Sequence, residues 1–491
     1  MIKQYTDQYR PHFHYSPKES WLNDPNGMVY FKGEYHLFYQ FHPDGTTWGP
    51  MHWGHAVSKD LVHWEELPIA LYPDEHGTIF SGSAVVDWHN TTGFFPDAPG
   101  LVAIYTSHDM YPESDRPMQR QSLAYSHDDG RTWSKYEGNP VLADVNITDF
   151  RDPKVFWHEE TMKWVMILAT DQTVTLYTSP NLKDWDFASE FGKEEGSHLA
   201  VWECPDLFKL PVDGDQSNEK WVMIVSIGDN VNYKEGSRTQ YFIGTFDGTT
   251  FTNEHSAETI LWLDYGRDNY AGVSWSDIPS TDGRRIYIGW MNNWRYANQL
   301  PTEKWRGVMT LPRELALVST EEGVRLIQNP VAEMKRIQKE RSYSQEDILL
   351  SSTALSVPLS HPLVELNVEI ENKDASKWGI ELYYNEDEKT IIHYDTLKNL
   401  LFVDRTESGV SDFSDSFSAV QEAPVRSRDN KVKLKLYIDL SSVEVFVNDG
   451  EAAITTLVYP KNGVEKVTVF TENGDAKVSY LECIELDSIW G

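Results

Sequence analysis

Two cysteines, Cys204 and Cys483, are all that the 491 residues contain, too few for a disulfide framework or a thiolate metal site. Packing must supply the stability. Lysine and arginine are also scarce, 43 against 76 aspartates and glutamates. The formal net charge of -33 argues against nucleic acid and anionic membranes as partners, because phosphate neutralisation needs clustered cations. A neutral substrate suits that balance better. No stretch nears the roughly 18 to 20 apolar residues of a membrane span. The opening MIKQYTDQYRPHFHYSPKES lacks the apolar core of a secretory leader. The expectation is a cytoplasmic chain, or a secreted one whose leader has been removed. Helical periodicity is scarce ahead of residue 320, and oligomeric state leaves no trace in the pattern.

What the chain has in quantity is aromatic side chains: 18 Trp, 25 Tyr and 20 Phe at a mean hydropathy of -0.51. Such residues fill β-cores and also line clefts that stack on sugars. Short aromatic and β-branched runs separated by Gly, Asp, Asn and Pro recur throughout, an all-β pattern. One unit repeats as SKDLVHW ending at Trp64, SHDDGRTW at Trp133, SPNLKDW at Trp185 and a weaker TFDGTTF at Phe251. Each reads as a strand, a polar turn and a terminal aromatic. Upstream of these copies lie NDPNGMVYF, FSGSAVV, RDPKVFW and ECPDLFKL, each followed by a second apolar strand, and AGVSWSDI with RRIYIGW supplies a fifth copy. Five antiparallel units that cannot bury both faces alone are accommodated by radial stacking, a five-bladed β-propeller.

After Leu315 the pattern changes. NPVAEMKRIQKER predicts a short helix with an Asn cap and Pro at its first position. Alternation then returns in LVELNVEI, WGIELYY and KLKLYIDL, with Asn-Asp-Gly and Glu-Asn-Gly hairpin turns. The expected organisation is a propeller over residues 1–317, a linker with a short helix over 318–345 and a β-sandwich over 346–491.

In a propeller the innermost strands surround one channel, so residues near their starts converge. Asp24 precedes Pro25, Asp152 precedes Pro153, and Glu203 precedes Cys204-Pro205. Proline donates no ladder hydrogen bond and belongs at strand starts and edges. One Asp-Pro pair is turn chemistry; three acids in equivalent positions of repeated units are not so easily assigned to it. Paired carboxylates flanking a scissile bond are the equipment of glycoside hydrolysis. Two other chemistries are disfavoured. His52 and His55 point to opposite faces by strand alternation, so they share no ion. Cys204, though it follows an acid, reads as a small buried hydrophobe.

WLNDPNGM, WGPMHWGHAVSKDLVHW, FSGSAVV, RDPKVFW and WECPDLF, in that order, resemble the β-fructofuranosidases of glycoside hydrolase family 32, over nearly the whole chain. The resemblance implies Asp24 as nucleophile, Glu203 as general acid/base and Asp152 as transition-state stabiliser, with no metal and no organic cofactor. It further implies Asn23, Pro25, Asn26, Gln40, Trp48, Phe80 and Ser81 as substrate-binding residues. Arg151 is the natural partner to hold Asp152 ionised. Trp290 and Trp294 compete for the wall opposite Trp48, and Trp290 is preferred because it ends an inner strand. The implied activity is exo-hydrolysis of levan, inulin and sucrose with retention. A fructosyltransferase sharing the covalent intermediate, an intracellular sucrose-6-phosphate hydrolase and a non-catalytic fructan-binding protein are the alternatives. The intact acids speak against the last.

Overall fold

The computed structural model describes residues 5–490. It is a five-bladed β-propeller followed by a β-sandwich. The innermost blade strands are Ser20–Phe31, Thr78–Val86, Phe150–His158, Trp202–Val212 and Tyr270–Ser274. Each leads outward through antiparallel neighbours. In blade three, Lys163–Thr170 is buried at seven of its eight positions, while the outermost strand Asp186–Phe191 is mostly open. This gradient explains why inner strands read as continuous apolar runs: both faces lie against neighbouring blades. Val165, Ile167, Trp202 and Met223 fill the space between blades three and four, and Val102, Ile104, Val155 and Met166 that between two and three. Each such side chain contributes about 1.5–3 kcal/mol on burial.

The sequence repeat is the turn from the third strand to the fourth. Asp60 Oδ1 accepts from the backbone of Val62 and His63, Asn181 Oδ1 from Lys183 and Asp184, and Asp247 Oδ1 from Thr249 and Thr250. Asp128 Oδ1 accepts from Thr132 N. An Asp or Asn is needed there because a short carboxylate or amide folds the chain onto itself. The following aromatic then seals the blade edge. The ring closes where Trp305–Arg306 runs parallel to Ser20–Trp21.

The expected capped helix at NPVAEMKRIQKER is corrected. Asn329 and Pro330 end the strand Gly323–Pro330, and Ala332–Ile337 is a single short 3-10 helix without a side-chain cap. The strand Gln338–Ser351 begins at once. Its pairing with Asp475–Leu486 over ten register positions outweighs local helix propensity.

Two six-stranded sheets form the sandwich. Lys431–Ile438 shows the alternation of a half-buried strand, Val432, Leu434 and Leu436 inward and Lys433 and Lys435 outward. Buried charge fixes the sandwich to the propeller. Arg313 donates to Asp264 at 3.0 Å and also to Glu444, while His14 bridges Asp439 and Glu444 at 2.8 Å each.

Candidate active site

All five innermost strands carry one extra residue at the same point against their partner. The register slips between Leu22 and Pro25, Ile79 and Gly82, Arg151 and Lys154, Glu203 and Asp206, and Tyr270 and Val273. A bulge of this kind re-aims side chains and twists the strand. In blades three to five its first residue has positive φ: 63° at Asp152, 46° at Cys204 and 53° at Ala271. Counted from the bulge, the acids are not equivalent, as the sequence reading supposes. Glu203 stands just before it, Asp152 is its first residue and Asp24 its second. Three successive bulge positions, each taken from a different blade, therefore aim at one axis.

The three acids line one pocket of about 470 Å³ together with Asn23, Gln40, Trp48, Phe80, Ser81 and Arg151. Ser81 Oγ donates to Asp24 Oδ2 over 3.2 Å. Cys204 N donates to Asp152 Oδ2 at 3.0 Å. The Cys204 thiol lies 3.8 Å from Asp24 Oδ2 and 3.6 Å from Asp152 Oδ2, so both carboxylates touch one sulphur. Cys204 is buried as expected, but against acids rather than in a wholly apolar core. Thr106 Oγ1 receives the Asp152 N–H at 3.0 Å and donates to Gln121, which fixes the strained residue.

Burial raises Asp24 to about 7, reinforced by the charge of Glu203, while a hydrogen bond from Asn23 draws it down. Burial likewise raises Asp152 to about 6, with Arg151 opposing. The expectation that Arg151 alone holds Asp152 ionised is thus corrected: removal from water outweighs the single guanidinium. Arg151 also favours a different partner. Its Nη2 donates to Glu203 Oε1 at 3.0 Å, its Nη1 donates to Asp149, and its Nε stands 4.0 Å from Asp152 Oδ2. Tyr270 donates its hydroxyl to the other oxygen, Glu203 Oε2.

Three expected pocket residues are placed elsewhere. Trp290 is fully buried, edge-on to Trp21, and Trp294 lines the pocket instead. Trp290 pairs with Tyr270 inside its blade, whereas Trp294 follows the strand and is free to turn over the mouth. Pro25 and Asn26 lie beneath the acids, on an axial cavity of about 10 Å³. Asn26 works from below, accepting the amide of Gln40 at 2.8 Å. His52 and His55 diverge as alternation predicts, His55 stacking on Phe38 and His52 meeting Tyr72.

Sequence reading missed Asp149, His108, Asp229 and Tyr270. Asp149 lies two residues before Arg151 and was visible; Tyr270 occupies in blade five the bulge position of Glu203, recoverable by aligning the fifth copy. His108 and Asp229 carry no local signal. Trp48, 46% exposed, is set by its backbone N–H on Asn298 Oδ1 at 2.8 Å. Phe80 is stacked 4.0 Å from His108. The pocket is thus walled by aromatic rings and floored by carboxylates.

Residues 14–330 match the model of the glycosyl hydrolases family 32 N-terminal domain, and residues 332–485 that of the family's C-terminal domain. A levanase of Bacillus subtilis (strain 168) is 51% identical over 99% of this chain and 72% of its own length. An extracellular exo-inulinase of Aspergillus niger is 40% identical over 99% and 96%. Among solved structures, exo-inulinase from Aspergillus awamori superposes with a TM-score of 0.91 at 37% identity, covering 99% of this chain and all of its own. The β-fructofuranosidase of Schwanniomyces occidentalis, complexed with fructosyl-erythritol, gives 0.89 at 31% identity over 99% of both chains. The chain belongs to glycosyl hydrolases family 32.

Proposed function

We propose that this enzyme is a retaining, exo-acting β-fructofuranosidase that removes terminal β-D-fructofuranosyl residues from fructans and sucrose. The observation that carries this reading is the convergence of Asp24, Asp152 and Glu203 at the closed end of one aromatic-walled pocket. The cavity below them, about 10 Å³, has room for about one water, so a chain enters by its end. The named relatives act in the same sense: levanase, exo-inulinase and β-fructofuranosidase.

Asp24 attacks the anomeric carbon while Glu203 protonates the leaving oxygen. Water then resolves the fructosyl-enzyme with Glu203 as base. An acid held near 7 by burial is more basic than a solvated carboxylate and a correspondingly better nucleophile once ionised. Asp152, fixed by Cys204 N, places a second negative charge beside the oxocarbenium-like transition state. Arg151 and Tyr270 hold Glu203 between them, one on each oxygen, so its carboxyl group is kept in one orientation.

Electrostatics favour neutral substrates over sucrose 6-phosphate. Asp24, Asp149, Asp152, Glu203 and Asp229 line the pocket, against the one guanidinium of Arg151, already bound to Asp149 and Glu203. Burial, and then the charge of Arg151, depress His108 to about 4, leaving it neutral. A phosphate finds no unengaged cation there among the described residues. Turnover on levan, inulin, sucrose and sucrose 6-phosphate tests this. Free fructose as the initial product from the polymers supports exo-hydrolysis; oligosaccharide fragments, growing chains at high sucrose, or a preference for the phosphorylated sugar overturn it.

A further inference from the structure

A second and larger cavity, about 670 Å³, is lined by the far ends of the innermost strands of blades two, three and four and by residues 276–280 of blade five. The catalytic acids lie near the starts of those strands. From Asp152 to Phe156 the chain advances four residues, about 13 Å at the usual rise, so the two cavities open at opposite ends of the propeller axis. Nothing in the catalytic cycle uses the far one.

Its wall is made of rings. Trp88, 55% exposed, is not loose: its indole N–H is held by Asp277 Oδ1 at 2.8 Å, and Asp277 Oδ2 accepts Val86 N at 3.0 Å. The ring is an exposed platform fixed by a half-buried carboxylate. Trp157 and Trp221 continue the wall. The indole nitrogen of Trp157 is itself buried and has no hydrogen-bond partner among the described residues.

Charge at the centre is balanced. Lys154 Nζ lies 3.6 Å from Asp206 Oδ2. Arg285 rests over the Phe208 ring at 5.0 Å and donates to the Trp275 carbonyl at 3.2 Å; Asp277 supplies the second carboxylate. With Lys209 and Glu159 the lining holds three cations and three anions, which give no net field to select an ion. Flat aromatic faces with fixed polar groups of cancelling charge suit an uncharged polyhydroxylated chain.

We infer that the far mouth of the propeller is a second, non-catalytic binding site for a fructan chain. This rests on the proposed fructan substrate. The site holds the polymer while the catalytic pocket consumes a free end, which raises the local concentration of ends.

The test uses the full chain. Trp88→Ala should raise KM for inulin or levan about tenfold, the scale of one lost stacking contact, and leave kcat/KM for sucrose unchanged. Trp157→Phe, which shortens this part of the aromatic wall and deletes the indole N–H, should act in the same direction. Electrophoresis through gels containing inulin or levan, with dextran as control, reads binding without turnover: the parent should be retarded and Trp88→Ala much less so. Equal retardation and equal polymer KM would overturn the second site, as would an equal loss on sucrose. Failure of the parent to release fructose from either polymer would instead strike the functional reading, and the gels would judge the far site separately.

Discussion

Arg151 donates to Glu203 Oε1 over 3.0 Å while standing 4.0 Å from Asp152 Oδ2. One guanidinium therefore serves two acids with different duties. Arg151→Met should leave the fold intact but cost about 10²- to 10³-fold in kcat/KM, the scale of losing one preorganised electrostatic partner. Because Arg151 lowers Asp152 against the effect of burial, its removal lets Asp152 rise above its present value of about 6. The acid limb of the pH–rate profile should move to higher pH. A limb that stays in place would show that Asp152 does not sense the guanidinium.

Asp24 is functional at a cost in stability. Its folded value of about 7 lies above the ordinary carboxylate value of 3.8. The folded state thus holds its proton more tightly than the unfolded chain, and stability is lost as pH rises from about 4 through 7. Asp24→Asn cannot ionise. It should abolish turnover by several orders of magnitude and be the more stable protein at pH 8, by about 2 to 4 kcal/mol on the linkage scale. At pH 4 the two should coincide. Thermal unfolding at both pH values checks this; a variant that is less stable at pH 8 would refute the account of Asp24 as a strained acid.

How much of this site was legible beforehand follows from what produces each position. Asp24, Asp152 and Glu203 stand out because proline and an apolar run follow each, a signal local in sequence. The strand-to-turn repeat ending at Trp64, Trp133, Trp185 and Phe251 is local too, and it marks four of the five blades. The bulge is not local. It is a relation between two strands, and without pairing partners the acids look equivalent when they occupy three successive positions. The preference for Trp290 over Trp294 goes astray for the same reason: only cross-strand pairing to Tyr270 shows which indole is consumed by the blade. Asp229 enters the pocket from a loop, where neither periodicity nor spacing speaks.

His14 joins the propeller to the sandwich through charge. Burial works against the imidazolium, but hydrogen bonds to Asp439 and Glu444 prevail and hold it up at about 9, above the ordinary 6.5. Its contribution is complete below about 6.5 and is lost as pH rises through 9. The protein should therefore show a falling Tm across that window. His14→Gln should lower Tm at pH 6, because breaking one member of a buried charged set costs about 3–5 kcal/mol, and should flatten the alkaline fall. An unchanged alkaline slope in the variant would assign that slope to other groups.

Glu203 and Asp24 are both carboxylic acids in one pocket, and a single chemical experiment separates their roles. Glu203→Ala removes the proton donor for the first step and the base for the second, while Asp24 keeps its position through Ser81. A fructoside with a good leaving group needs little protonation, so the fructosyl-enzyme should form readily and then stall for want of a base. Azide needs no base to attack. It should restore turnover and yield the β-fructosyl azide, since displacement from the face opposite Asp24 inverts the intermediate back to the starting configuration. Recovery of the α-azide would mean a single displacement, with azide entering directly on the substrate. Asp24 would then hold a water or a hydroxyl rather than the fructosyl carbon, and the proposed double displacement would fall.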